Sequence, residues 1–177
     1  LITDYSQVLK DEASQSRSIT KEFDLIPLIK SVIEDFNTDI KTLNKNISIN
    51  FKNKFNLSQA KVFGVESRIE QVVANVLENA VSFSPNNEEV TLSLTKKNND
   101  KSIEILVIDK GPGFDEKNVT KIFERFYSLP RPGTGSKSSG LGLSIVQEIM
   151  NLHKGQVSIL NRSDVHSGTV VKIELPF

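Results

Sequence analysis

Asp109-Lys110-Gly111-Pro112-Gly113-Phe114 and, after a polar loop, Ser138-Ser139-Gly140-Leu141-Gly142-Leu143 are the two halves of the stretch that decides the fold. The first half directly follows Ile103-Glu104-Ile105-Leu106-Val107-Ile108, which reads as a buried strand. The second opens Leu141-Gly142-Leu143-Ser144-Ile145-Val146-Gln147-Glu148-Ile149-Met150, whose apolar residues recur at helical spacing. Glycine admits positive φ and lets another molecule reach the main chain, so glycines at a strand exit and a helix start suggest a ligand lying against backbone. Either pair alone is accounted for as ordinary turn glycines. An acidic residue at a strand exit, alternating glycines, a polar loop and a glycine-led helix need a joint explanation. A nucleotide supplies one: Asp109 can accept from an adenine amino group while the helix N-terminus faces phosphates.

Working outward, Val65 to Phe83 reads as a long helix whose faces separate at about 100° per residue. Ile69, Val72, Val73, Val76, Leu77, Ala80 and Val81 fall on one arc, and Arg68, Gln71, Asn75, Glu78, Asn79 and Ser82 on the other. A polar arc is ordinarily a solvated face. Asparagine, however, is a mediocre helix former whose amide competes for backbone hydrogen bonds, yet Asn75 and Asn79 stand mid-helix at i and i+4. Phe83 lies one turn further on, so the three residues form a stripe: amides for magnesium and phosphate, an aromatic ring for a flat base.

The remaining segments supply a frame. Residues 1 to about 16 carry helical spacing without a capping start and read as the end of a longer helix, with Ser14 to Thr20 as a polar linker. Asp24 and Pro27 suit a helix start, followed by Leu28, Ile29, Val32, Ile33, Phe36, Ile40 and Leu43 on one face. Ile47 to Phe51 and Ala60 to Phe63 are short strand candidates, and Glu89 to Lys96 with Ser102 to Ile108 reads as a hairpin about an Asn-Asn-Asp turn. Lys117 to Phe126 reads as a short helix, with Phe123 and Phe126 as a core anchor. Leu129 to Ser139 holds two prolines and two glycines and reads as a lid whose Arg131 and Lys137 reach phosphate on closing. Gly155 to Leu160 and Thr169 to Leu175 are the last strands. The order predicts an α/β two-layer sandwich, a mixed sheet with helices on one face, preceded by a helical segment.

Composition narrows the classes. The 177 residues, 37% hydrophobic and 25% charged, are enough to bury a core. Lysine plus arginine equals aspartate plus glutamate at 22 each, which argues against nonspecific nucleic-acid binding and makes any phosphate site local. Cysteine is absent, which removes disulfides, thiolate metal sites and cysteine nucleophiles and fits a reducing compartment. No apolar run approaches the roughly 18 residues of a membrane span.

Arg68 to Ala80 resembles the N box of sensor histidine kinases, Asp109 to Gly113 their G1 box, Ile122 to Tyr127 their F box, and Gly140 to Ser144 their G2 box. The likeness runs from about Phe23 to Phe177, and the leading helix resembles the end of a dimerisation and histidine-phosphotransfer hairpin, which divides the chain into residues 1–20 and 21–177. Asn79 to Pro85 is similar to the branch that includes the alphaproteobacterial envelope-acidity sensors. The resemblance implies a Bergerat ATP-binding fold, with ATP and Mg2+ as cofactors. Asp109 would take the adenine amino group in a pocket shaped by Gly111 and Gly113. Asn75 and Asn79 would lie on magnesium and phosphates, Gly140, Leu141 and Gly142 on the phosphate tail, and Arg125 on the phosphate side. It implies three partners: a histidine-bearing hairpin of the same protein, its second copy in a homodimer, and a response regulator. The place implied is the cytoplasmic part of an inner-membrane sensor.

Two departures matter. Family members often carry lysine where this chain has Ser82 and tyrosine where it has Phe83, which shifts the balancing of the triphosphate toward Lys137 or Arg131. Neither His153 nor His166 matches the family's acceptor histidine, so the chain reads as a kinase domain separated from its acceptor, with both histidines structural or solvated. A superfamily ATPase is the first alternative, and it expects a glutamate where Asn75 stands. A nucleotide-binding signalling module without phosphoryl transfer is the second.

Overall fold

The computed structural model describes residues 19–42, 46–54, 58–97, 101–132, 139–164 and 167–176. The predicted leading helix, Leu43, the Asn98-Asn99-Asp100 turn, Lys137 and His166 lie outside the described residues. In order come β1 (Lys21–Asp24), α1 (Leu25–Thr42), β2 (Ser48–Asn53), β3 (Lys61–Gly64), α2 (Glu66–Phe83), β4 (Glu89–Lys96), β5 (Ser102–Ile108), α3 (Gly142–Leu152), β6 (Gln156–Asn161) and β7 (Thr169–Pro176).

Five strands form a mixed sheet in the order β2-β4-β5-β7-β6, parallel between β2 and β4 and antiparallel elsewhere. Strand β5 is central, with Ile108 opposite both Thr91 and Val170, so the chain leaves the middle of the sheet at Asp109. Burial alternates along β5, as expected of a sheet with one covered face. Ile103, Ile105 and Val107 point inward together with Val171, Ile173 and Leu175 of β7. Against that face lie Ile69, Val72, Val73, Val76, Leu77 and Ala80 of α2 and Val146, Ile149 and Met150 of α3. Burying each such side chain stabilises the fold by about 1.5–3 kcal/mol, which explains why α2 holds its helix despite two mid-helix asparagines. The two-layer α/β sandwich is as the sequence predicts.

One expectation needs correction. Lys117 to Phe126 is not one helix but two 3-10 turns, Glu116–Asn118 and Lys121–Phe123. The segment offers one buried anchor, Ile122, and Phe126 sits at φ 67°, outside the helical path. Phe126 is accordingly exposed, and only Phe123 of the aromatic pair packs on the core. Ala60 to Phe63 does contain a strand, β3, as the sequence suggests. This strand pairs with β1 in a separate two-stranded ribbon, not in the main sheet. Strand β1 has four residues, three of them charged, Lys21, Glu22 and Asp24, so its sequence carries no alternation to read.

Asp24 joins the ribbon to α1: its Oδ1 accepts from the backbone N–H of Ile26 at 3.0 Å and of Ala60 at 2.9 Å. At the other end of α3, the His153 ring accepts at Nε2 from the Val65 N–H at 3.0 Å and faces the Ile149 carbonyl through Nδ1 at 2.8 Å. With an N–H pointing at Nε2, the proton belongs on Nδ1, which donates to Ile149. Gly64 makes room for the ring, since a Cβ there would stand 2.6 Å from His153 Cδ2. His153 is therefore a tie between α3 and the start of α2.

Candidate functional site: a pocket at the end of the central strand

The pocket opens where β5 ends. Asp109 is only 5% exposed. Its Oδ1 accepts from the Gly111 N–H at 2.8 Å and the Thr169 N–H at 3.0 Å, while Oδ2 takes the Thr169 hydroxyl. Fixed donors of this kind let a carboxylate stay buried without a cation. Both Asp109 and Thr169 line the pocket, so a polar edge faces whatever enters it.

The loop after Asp109 is shaped by close contacts. A Cβ on Gly111 would stand 2.9 Å from the Phe83 carbonyl oxygen, so this loop lies directly against the end of α2. Gly113 adopts φ 76° and a Cβ there would meet Asn161 Oδ1 at 2.7 Å, which excludes other residues on two counts. On the opposite rim Gly140 has φ 73°, and a Cβ would stand 2.5 Å from the Phe126 carbonyl carbon. The Phe126 N–H also donates to the Gly140 carbonyl at 2.9 Å. The aromatic segment and the glycine turn before α3 thus form one rim.

Asn79 and Phe83 of α2 line the pocket, joined by Asp109, Gly113, Gly140 and Gly142. Phe114, Tyr127, Leu129, Ile159 and Val171 supply apolar walls. The space between these walls, open solvent included, is about 780 Å³. Asn75 is one step removed, its Nδ2 donating to the Gly142 carbonyl at 3.3 Å, and buried Leu141 holds the turn from behind. Arg125 lies outside the pocket. Its guanidinium pairs with Glu148 of α3 through Nε at 3.2 Å and an Nη at 2.6 Å.

Arg131 is in the pocket. Its guanidinium lies 4.1 Å from the Phe83 ring centroid and donates to Asn79 Oδ1 at 3.3 Å. Burial pushes its pKa below the ordinary value, against the Glu78 carboxylate, which raises it. Ser82, where a cation was missing from the sequence pattern, hydrogen-bonds through its hydroxyl to the Asn79 carbonyl at 3.0 Å.

Sequence reasoning missed Thr169, Asn161 and the apolar walls. Thr169 had a readable signal, since Gly168 immediately precedes a strand and its φ of 137° lets the backbone approach Asp109, where a Cβ would stand 2.2 Å from the carbonyl oxygen. Magnesium fits this donor set only in a limited sense. Among the described residues no three acidic or histidine side chains converge, and of the α2 amide oxygens that of Asn79 already accepts from Arg131 while Asn75 stands outside the pocket lining. Magnesium bound in that manner is held largely by a ligand's own phosphates.

Residues 64–177 match the family described as histidine kinase-, DNA gyrase B-, and HSP90-like ATPase. The chain is 38% identical over 104 residues to sensor protein CreC of Escherichia coli K12, covering 59% of this chain. It is 32% identical over 185 residues to sensor protein ChvG of Agrobacterium fabrum, covering 99% of this chain. Its fold superposes on the nucleotide-free catalytic domain of histidine kinase ThkA with a TM-score of 0.74 at 28% identity, covering 89% of this chain and 97% of that one. The chain belongs to this ATPase family, in its histidine-kinase branch. It spans 21% of the length of CreC and 30% of that of ChvG. The likeness to ChvG agrees with the branch suggested by Asn79 to Pro85. No helix among the described residues is long and apolar enough to cross a membrane.

Proposed function

We propose that this chain binds ATP with magnesium and serves as the catalytic part of a sensor histidine kinase. The observation that carries the reading is the buried Asp109 carboxylate, whose Oδ1 accepts from two backbone N–H groups and Oδ2 from the Thr169 hydroxyl, in a residue that lines a pocket walled by aromatic and aliphatic side chains. Oδ2 would accept from the adenine amino group, Phe83 would cover the ring, and Gly140 to Gly142 would leave backbone open to the phosphates. Asn75 and Asn79 would share magnesium with the triphosphate. A histidine nitrogen from outside residues 21–177 would attack the γ-phosphorus as the bond to the β-phosphate oxygen breaks and ADP leaves. Positioning and charge neutralisation would supply the rate.

The hairpin carrying that histidine, a second copy of the chain and a response regulator are the partners proposed, with residues 1–20 as the link to the hairpin. The place proposed is the cytoplasmic side of a membrane-held sensor. A hydrolytic ATPase is disfavoured because position 75 is asparagine and Glu78, the nearby carboxylate, is exposed and outside the pocket. Asn79→Ala tests the magnesium assignment. It should weaken an ATP analogue in magnesium buffer much more than adenosine, and equal losses would count against Asn79 as a phosphate-side residue.

A further inference from the structure

We propose that Asn161, at the end of β6, is the positioning residue that sets the base-reading geometry of the loop after Asp109. The inference rests on the nucleotide reading above. Antiparallel register places side chains in rows across the sheet. Ile159, Val171 and Val107 form one inward row, and the next row is Asn161, Thr169 and, just beyond β5, Asp109, whose N–H donates to the Thr169 carbonyl at 3.0 Å. An apolar row thus lies beneath the pocket, and a polar row stands at its edge.

Within the polar row the division of labour is clear. Thr169 holds the Asp109 carboxylate, and Asn161 holds the loop that follows it. The Asn161 amide makes both bonds of a backbone pair with Phe114: Oδ1 accepts from the N–H at 2.9 Å and Nδ2 donates to the carbonyl at 2.8 Å. Neither water nor a hydroxyl reproduces that planar two-point match. The amide also occupies the space beside Gly113, so it fixes the loop where φ is positive. Arg162, the next residue, donates to the Asp109 carbonyl at 3.3 Å from the same corner. Gly113 and Phe114 line the pocket, whereas Asn161 does not. Its influence on a ligand therefore passes through the loop.

Calorimetric titrations of adenosine, an ATP analogue and a GTP analogue test this on the parent chain, Asn161→Ala, Asn161→Asp and Val157→Ala. Val157 lies on the same strand, packs on the core and does not line the pocket, so it reports plain destabilisation. Asn161→Ala should weaken adenosine and the ATP analogue alike, by about tenfold, and narrow the preference for ATP over GTP. Asn161→Asp keeps the volume and the acceptor but sets a carboxylate oxygen against the Phe114 carbonyl. It should narrow the preference at least as much, and it decides the matter if the alanine variant does not fold. Val157→Ala should leave the preference unchanged. Folded Asn161 variants with the parent's preference would overturn the proposal alone, whereas a parent that binds no ATP analogue would overturn the nucleotide reading and this inference with it.

Discussion

Asp109 and Thr169 meet across the end of the sheet through both backbone and side chain: the Thr169 N–H reaches Asp109 Oδ1 at 3.0 Å and its hydroxyl reaches Oδ2. Because the Gly111 N–H also donates to Oδ1 at 2.8 Å, that oxygen accepts from two backbone donors, whereas Oδ2 accepts from the Thr169 hydroxyl and is the oxygen assigned to the ligand under the proposed function.

Asp109→Asn should therefore fail in a defined way. The amide oxygen would settle at the Oδ1 position to keep the two backbone donors, which places the amide NH2 against the Thr169 hydroxyl and the adenine amino group. A pocket-side acceptor becomes a donor, and leaving buried groups mismatched costs roughly 1–3 kcal/mol, about 5- to 150-fold in affinity. Calorimetry with an ATP analogue checks it. Parent-like affinity in a folded variant would remove Asp109 from base recognition.

Arg131→Ala should separate base from phosphate. The guanidinium covers Phe83 and donates to Asn79, the surfaces assigned to the base and the phosphate side. Removing it frees the ring, so adenosine should bind as tightly as to the parent or several-fold tighter, given roughly 0.5–2 kcal/mol for a half-buried cation–π contact. ATP should bind about tenfold more weakly, because a charge-assisted bond to phosphate is lost. Parallel losses for both ligands would give Arg131 only a structural part.

Sequence alone revealed the site's glycine and amide markers because each obeys a local rule. Positive φ at Gly113 and Gly140 and the unusual mid-helix pair Asn75 and Asn79 are legible without tertiary contacts. Thr169 and Asn161 obey no such rule. They reach Asp109 and Phe114 only through strand register, which pairs residues 47 to 60 positions apart. The same reasoning explains β1, whose charged residues are drawn into a ribbon by β3 and not by their own pattern. Arg125 matched a motif, yet its guanidinium lies with Glu148 outside the pocket, and a motif carries no information about side-chain direction.

Acid should act partly through Glu174. The Lys97 ammonium holds its carboxyl below the ordinary range, helped by Ser102 and opposed by burial. A folded-state pKa below the unfolded one means the native chain binds fewer protons there, so this contribution is present above pH about 4.5 and lost as pH falls through the folded value. The Lys97 ammonium is raised in turn, so its share persists until alkaline pH exceeds its ordinary range. Glu174→Gln should lower the melting temperature near pH 7 by on the order of a degree or two, and the gap between parent and variant should narrow as the pH is taken progressively below the ordinary carboxylate range. A gap that stays constant as the carboxylates of the folded chain are protonated would exclude the linkage.

On the proposed function, this chain donates phosphoryl groups to a histidine outside residues 21–177. His153 has both ring nitrogens engaged with backbone, at Val65 and Ile149, and is poorly placed to attack. A bound donor without an aligned nucleophile faces a barrier higher by roughly 7–11 kcal/mol. The direct test is γ-labelled ATP with magnesium, incubated with the chain alone and with a dimeric fragment carrying the histidine-bearing hairpin, followed by detection of acid-labile phosphate. Nucleotide binding with almost no turnover is expected of the chain alone, and acid-labile label on the hairpin once it is added. Rapid hydrolysis by the chain alone that Glu78→Ala abolishes, or label on His153 or His166, would contradict it.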